Sequence, residues 1–127
     1  MATYQGVETV SRTAGSAITI YRFVAFSTSD SKYDHVGTAQ ARMDGISAEG
    51  VAADGDAFPM VIPNGAICKV QAGAAVAVGA SIGSDNTGRA ITAVSGVGNF
   101  TAGIALTAAA AAGEIIEIQF IQDRDQA

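Results

Sequence analysis

At 127 residues the chain has the length of one domain, and a formal net charge of −5 leaves no basic footprint for a phosphate backbone, so nucleic acid is not an expected partner. Hydrophobic residues make up 49% of it, but alanine is the largest part, aromatics are 6% and tryptophan is absent. Such a core buries little area per residue, and association with copies of itself is the expected source of further stability. No apolar run approaches the ~20 residues of a membrane-spanning helix, so no membrane partner is expected. The N-terminus lacks a basic stretch followed by an apolar one, and the chain reads as a soluble protein made in a reducing cytoplasm.

Residues 1–15 are small and polar, with Tyr4, Val7 and Val10 as their larger apolar groups, and read as an N-terminal arm ahead of a single β domain over 16–127. Residues 16–26, SAITIYRFVAF, are β-branched and aromatic and predict a strand. A polar loop follows over 27–34, then a weaker strand over 36–43, then a glycine-broken loop or single helical turn over 45–55. Pro59 within 58–62 predicts an edge strand or a bulge, because proline cannot donate to a ladder. Pro63-Asn64-Gly65 predicts a turn, and 66–70 a strand carrying the single cysteine, Cys68, as a small buried hydrophobe.

Residues 71–93 read as short strands about two turns, Ala72-Gly73 and Asp85-Asn86-Thr87-Gly88. Five alanines at 108–112 favour helix, but the run is too short to nucleate one alone, and a brief helical or turn-like bridge is expected. Residues 114–121, EIIEIQFI, alternate apolar with polar and give a half-buried strand, after which QDRDQA reads as a solvated tail. Short strands with turn signals every ~8–12 residues predict an all-β fold, a small barrel or sandwich with minor helical turns.

Residues 45–62 and 103–120 align without a gap at an offset of 58. Gly45 meets Gly103, Ala52 and Ala53 meet Ala110 and Ala111, Gly55 meets Gly113, and Asp56 meets Glu114. Upstream, Ile18, Ile20, Val24 and Val36 meet Val76, Val78, Ile82 and Val94. Two units are too few for a solenoid, so the expectation is one domain with a pseudo-twofold internal repeat, its halves about 16–70 and 71–127.

The sequence offers little chemistry. His35, the one histidine, lies beside Asp34 and near Ser27, Ser29 and Ser31, but no nucleophile-elbow pattern frames them. Asp54 and Asp56 supply only the beginning of a calcium loop, and one histidine with one cysteine cannot build a structural zinc site. Gly96-Val97-Gly98 lacks the third glycine of a dinucleotide fingerprint. A binding or structural part, not an enzyme, is the expectation, with no cofactor.

From Ala72 onward the order Val76-Ala77-Val78-Gly79, Asp85-Asn86-Thr87-Gly88-Arg89, Gly103-Ile104-Ala105-Leu106, an alanine run, Gly113-Glu114 and a terminal strand resembles the small capsid decoration, or cement, proteins of tailed bacteriophages. The resemblance covers roughly 18–121. It implies a homotrimeric virion protein on the outer surface of an icosahedral head, clamping neighbouring major capsid protein subunits. It also implies an arm that docks on the shell, for which Tyr4, Val7 and Val10 are the candidates by apolar character. A tail or fibre domain would have similar composition. A carbohydrate-binding or adhesion domain would need exposed aromatics, of which Tyr4, Tyr21 and Tyr33 are the tyrosines.

Overall fold

The structure, a computed structural model, describes residues 8–94, 96 and 99–124. These hold ten strands: β1 (Thr9–Thr13), β2 (Phe23–Ser27), β3 (Lys32–His35), β4 (Gly45–Ser47), β5 (Ala57–Val61), β6 (Ile67–Gln71), β7 (Ile82–Ser84), β8 (Ala90–Thr92), β9 (Phe100–Ala105) and β10 (Ile115–Arg124). One antiparallel sheet runs β1-β5-β4-β2-β3, a second runs β6-β10-β9, and β7-β8 is a hairpin that the bridge Ser81↔Ile104 ties to β9. The result is an all-β, sandwich-like fold of open sheets. Among the described residues there is no helix, and the alanine run is a turn-like bridge.

The internal repeat holds at the level of single pairings. Thr9↔Val61 between β1 and β5 becomes Ile67↔Gln119 between β6 and β10, and Ile46↔Val61 becomes Ile104↔Gln119. Ile18 and Val51 exchange two backbone hydrogen bonds of 2.9 Å, as do Val76 and Ala109. Gly55 and Gly113 turn at φ +91° and +95°. The acid after each closes the same turn, Asp56 accepting from Ala53 N at 3.1 Å and Glu114 from Ala111 N at 3.0 Å. The repeating unit is therefore β1 to β5, then β6 to β10. The halves divide at the Pro63–Gly65 turn and not near residue 70, because β6 is the counterpart of β1.

Several local expectations change for tertiary reasons. Thr9–Thr13, expected within the arm, is the strand β1 paired along β5. The strand expected over 16–26 survives as β2 alone, because Tyr21 at φ 63° turns the chain ahead of it. Lys32–His35, expected in a loop, pairs with β2 as β3, and 36–43 is not a strand. β5 is interior to its sheet, between β1 and β4, despite Pro59. The Pro59 carbonyl accepts from Ala48 N at 2.9 Å, just beyond the end of β4, so the missing donor points where pairing ceases. Gln122, expected in a solvated tail, lies on β10, and its Oε1 accepts from Met43 N at 2.8 Å.

Two core clusters follow from the repeat. Ala14, Ile18, Val24, Phe58 and Met60 pack together in the first half. Their counterparts Ala72, Val76, Ile82, Ile116 and Ile118 belong to a larger cluster, which also takes in Phe23, Ile46 and Val61 from the opposite face of the first sheet, and Val36 and Met43 from the segment between β3 and β4. Phe23 and Phe120 meet there, ring centroids 6.0 Å apart. The counterparts of those first-half residues are not buried: Val36 is 2% exposed and Val94 59%, Ile46 is 1% and Ile104 42%, and Ser81 stands in for Phe23 on the surface. A two-fold contact would bury equivalent residues equally. The halves instead meet head to tail, through different faces.

Tyr21 carries a positive φ that a tyrosine rarely adopts, whereas its counterpart is Gly79 at φ 85°. The buried Ser47 hydroxyl brackets the strained turn, donating to the Thr19 carbonyl at 2.6 Å and accepting from Arg22 N at 3.1 Å. Where glycine makes the turn, Ala105 replaces that serine. Ser47→Ala is expected to cost about 1–3 kcal/mol in denaturant unfolding, and less in a Tyr21→Gly background; equal costs in both would dissociate the bracket from the strain. Gly103, at φ +105°, has no room for a side chain, because a Cβ would overlap the Gln119 carbonyl oxygen, while a Cβ on Gly113 meets nothing. Gly103→Ala should cost about 4 kcal/mol or more, and Gly113→Ala only about 1–2 kcal/mol, by the same measurement.

Candidate interaction surfaces

The polar residues near His35 are committed to structure. Its Nε2 accepts from Thr19 N at 2.9 Å, Asp34 Oδ1 accepts from Ser16 Oγ at 2.7 Å, and the Ser27 and Ser29 hydroxyls bond each other at 2.9 Å. Burial lowers the His35 pKa, the Arg22 guanidinium lowers it further, and the acceptor role of Nε2 requires the neutral ring. Asp54 pairs with Lys32 at 2.7 Å, and no group of three or more potential metal ligands occurs among the described residues. Burial pushes the Cys68 thiol up to about 12, so it is not a thiolate near neutral pH.

Asp85 organises the β7–β8 hairpin. Burial disfavours its charge, but the N–H groups of Arg89 at 2.9 Å and Thr87 at 2.8 Å, with the Thr87 hydroxyl at 2.9 Å, together outweigh that and hold its carboxyl below the ordinary range. It is a turn-forming residue, as the sequence indicated.

What the molecule presents outward is apolar surface. Among the described residues, six of the eight exposed large hydrophobics lie in the second half: Val78, Val94, Ile104, Leu106, Ile115 and Ile121. Ile104 lies opposite Gln119, and Leu106 N donates to the Glu117 carbonyl at 2.8 Å. Ile115 and Ile121 alternate with the buried Ile116, Ile118 and Phe120, so β9 and β10 carry these groups on one outer face. In the first half the exposed Phe26 stacks edge-on to Tyr33, centroids 5.4 Å apart, and Arg12 lies over the Tyr33 ring at 5.7 Å. Tyr4 and Val7 lie outside the described residues. Val10, on β1 opposite Met60, is half-buried against the first-half cluster.

Sequence reading passed over Phe26, Ile104 and Leu106. For Phe26 the signal was present in the repeat itself, at offset-58 positions where one copy is apolar and the other polar, such as Phe26 with Ser84, Phe23 with Ser81 and Val61 with Gln119, whereas Ile104 and Leu106 match the apolar Ile46 and Ala48 and carry no such signal. Each apolar–polar pair marks a place where the two halves face different surroundings.

An all-β domain with exposed apolar faces, and with its polar groups spent on turns, is the form of a structural module. The sequence matches the phage cement protein family over residues 1–120, and the chain belongs to that family. None of the curated proteins matches it. Among solved structures, the N base of head fiber gp8.5 of bacteriophage phi29 has the same fold, with a TM-score of 0.73 at 20% identity over 95% of this chain and 98% of that one. The protein is a virion structural protein.

The neutral His35 gives a pH signature. Its folded pKa lies below the unfolded value, so its contribution is present above the unfolded value and is lost as pH falls through the folded one. Stability to urea should decline as pH drops below the ordinary histidine range, and His35→Gln should remove that part of the decline. An unchanged profile in the variant would contradict the assignment.

Proposed function

We propose that the protein is a capsid decoration protein: it binds the outer surface of an icosahedral phage head as a homotrimer and stabilises the shell by clamping neighbouring major capsid protein subunits. The observation that carries this reading is membership of the cement family over residues 1–120. The physical chemistry supports it. An alanine-rich domain with several exposed β-branched and aromatic side chains gains stability when those surfaces are covered, and the acidic charge disfavours contact with packaged DNA. The role is mechanical and not catalytic.

Shell contact is assigned to the segment ahead of β1, through Tyr4 and Val7. Val10 is a weaker candidate, because its side chain is partly engaged by the core. A second reading, in which the chain is the base domain of a longer head-attached fibre, is favoured by the likeness to a head fiber base.

Co-sedimentation of the purified protein with undecorated, expanded heads tests the first reading. Saturable binding at a stoichiometry matching three-fold positions is expected. A deletion of residues 1–7 stops short of Glu8, whose carbonyl accepts from Ile62 N at 3.1 Å. It should weaken binding at least about tenfold, ~1.4 kcal/mol, while thermal unfolding stays unchanged. Unaltered affinity would remove the segment from the interface, and no binding by the intact protein would overturn the decoration reading.

A further inference from the structure

The repeat supplies an internal control on exposed apolar groups. Where the junction between the halves decides burial, one copy of a position is covered and the other open, as with Val36 and Val94 or Ile46 and Ile104. Ile20 and Val78 behave differently. They are counterparts at the 58-residue offset, both are β-branched, and both are exposed, at 38% and 65%. The junction covers neither of them, so their apolar character in both copies has another cause.

Each stands at the apex of the same tight turn. Tyr21 and Gly79, the residues that follow, take φ 63° and 85°. Tyr21 N donates to the Ser47 carbonyl at 2.9 Å, and Gly79 N to the counterpart carbonyl, that of Ala105, at 2.8 Å. The residues before the apexes are held as well: Thr19 N donates to His35 Nε2 and the Thr19 carbonyl accepts from the Ser47 hydroxyl, while the Ala77 carbonyl accepts from Ala80 N at 3.2 Å. No hydrogen bond joins the backbone of Ile20 or Val78 to another described residue. Each apex is therefore a fixed point that carries an apolar side chain beside an open backbone N–H and carbonyl. Turns ordinarily show polar groups or glycine to water. Those at Ser29–Ser31, Asp54–Gly55 and Asn86–Thr87 do so here.

A β-branched group next to an unpaired donor and acceptor suits an extended polypeptide segment, which covers the side chain with an apolar residue and pairs with the backbone groups as at a sheet edge. A partner that uses the same feature in both halves has to reach across both, as a broad shell surface does. The Ile20 turn also adjoins the segment already assigned to shell contact, because Tyr21 lines one cleft with Thr9, the first residue of β1, where the chain enters from residues 1–7. We propose that Ile20 and Val78 are paired docking points for the shell, each taking an extended apolar segment of the major capsid protein on the outer surface of the head. The proposal rests on the decoration reading for its partner, and it adds the part of the folded body that meets that partner.

Ile20→Asp, Val78→Asp and the double variant test it, with circular dichroism and light scattering checking that fold and mass match those of the unaltered chain. In co-sedimentation with undecorated, expanded heads, each single variant should lose at least about tenfold in affinity, the scale of one β-branched side chain left uncovered. The double variant should lose more than either. Hydrogen exchange read by mass spectrometry supplies a second readout that needs no substitution: the Ile20 and Val78 amides, unbonded in the free protein, should gain protection on heads. Heads bound as tightly by the double variant, or bound by the unaltered chain without new protection at these amides, would remove this surface and leave decoration standing. A loss at one turn alone would overturn the pairing. A changed mass in the variants would give the turns to contact between copies and overturn the proposal. Failure of the unaltered chain to bind heads would overturn the decoration reading itself, and this proposal with it.

Discussion

Phe23 and Phe120 sit 6.0 Å apart where the two repeated halves meet, and the larger core depends on that junction. Neither half has much with which to stabilise itself. The first has a cluster of five buried residues, two of them Ala14 and Val24, and the second builds its equivalent layer from Ala72, Val76 and three isoleucines. Burial of apolar area contributes roughly 25 cal/mol per Å², so units this small and this rich in alanine gain stability chiefly when their sheet faces are covered. The junction does so with three large buried groups of the first half, Phe23, Ile46 and Met43.

Backbone hydrogen bonds reinforce that contact and hold it in one register. Phe23 N donates to the Gly88 carbonyl at 2.7 Å, Gln71 N to the Tyr21 carbonyl at 2.8 Å, and the Arg22 side chain reaches both Gln71 at 3.0 Å and the Thr87 carbonyl at 3.1 Å. The strained Tyr21 turn belongs to this seam, which explains why it is held by the Ser47 bracket when the equivalent turn at Gly79 is not. The same seam makes the halves unequal. A unit written twice acquires one covered and one open version of each face, and divergence between the copies has followed that difference, with Phe23 against Ser81 and Ser84 against Phe26.

For a virion structural protein, this economy is physically coherent. A small chain with spare apolar faces and with turns secured by Asp56, Asp85 and Glu114 is ordered enough to be rigid and incomplete enough to bind. The polar groups around His35 belong to the same economy, because each of them satisfies a loop and none converges on a common point.

The all-β class, the hairpin at Asp85–Gly88, the turn at Gly65, the alternation along β10 and the 58-residue repeat were all legible in the amino acids. Each is local, a matter of turn chemistry, period-two patterning or self-similarity. Strand β1 and strand β3 were not, since TVSRT stands in a small, polar N-terminal segment and KYDH carries weak propensity, and both become strands because β5 and β2 offer them partners. Nor could Pro59 be placed inside a sheet from sequence, because its tolerance there depends on where β4 stops. The candidate contact residues divide in the same way. Apolar character alone pointed to the N-terminal segment, whereas Phe26, Ile104 and Leu106 are exposed only because the halves pack head to tail. An offset in the sequence reveals that two units are alike; which face of one lies on which face of the other is a property of packing between residues distant in the chain, and only the tertiary structure decides it.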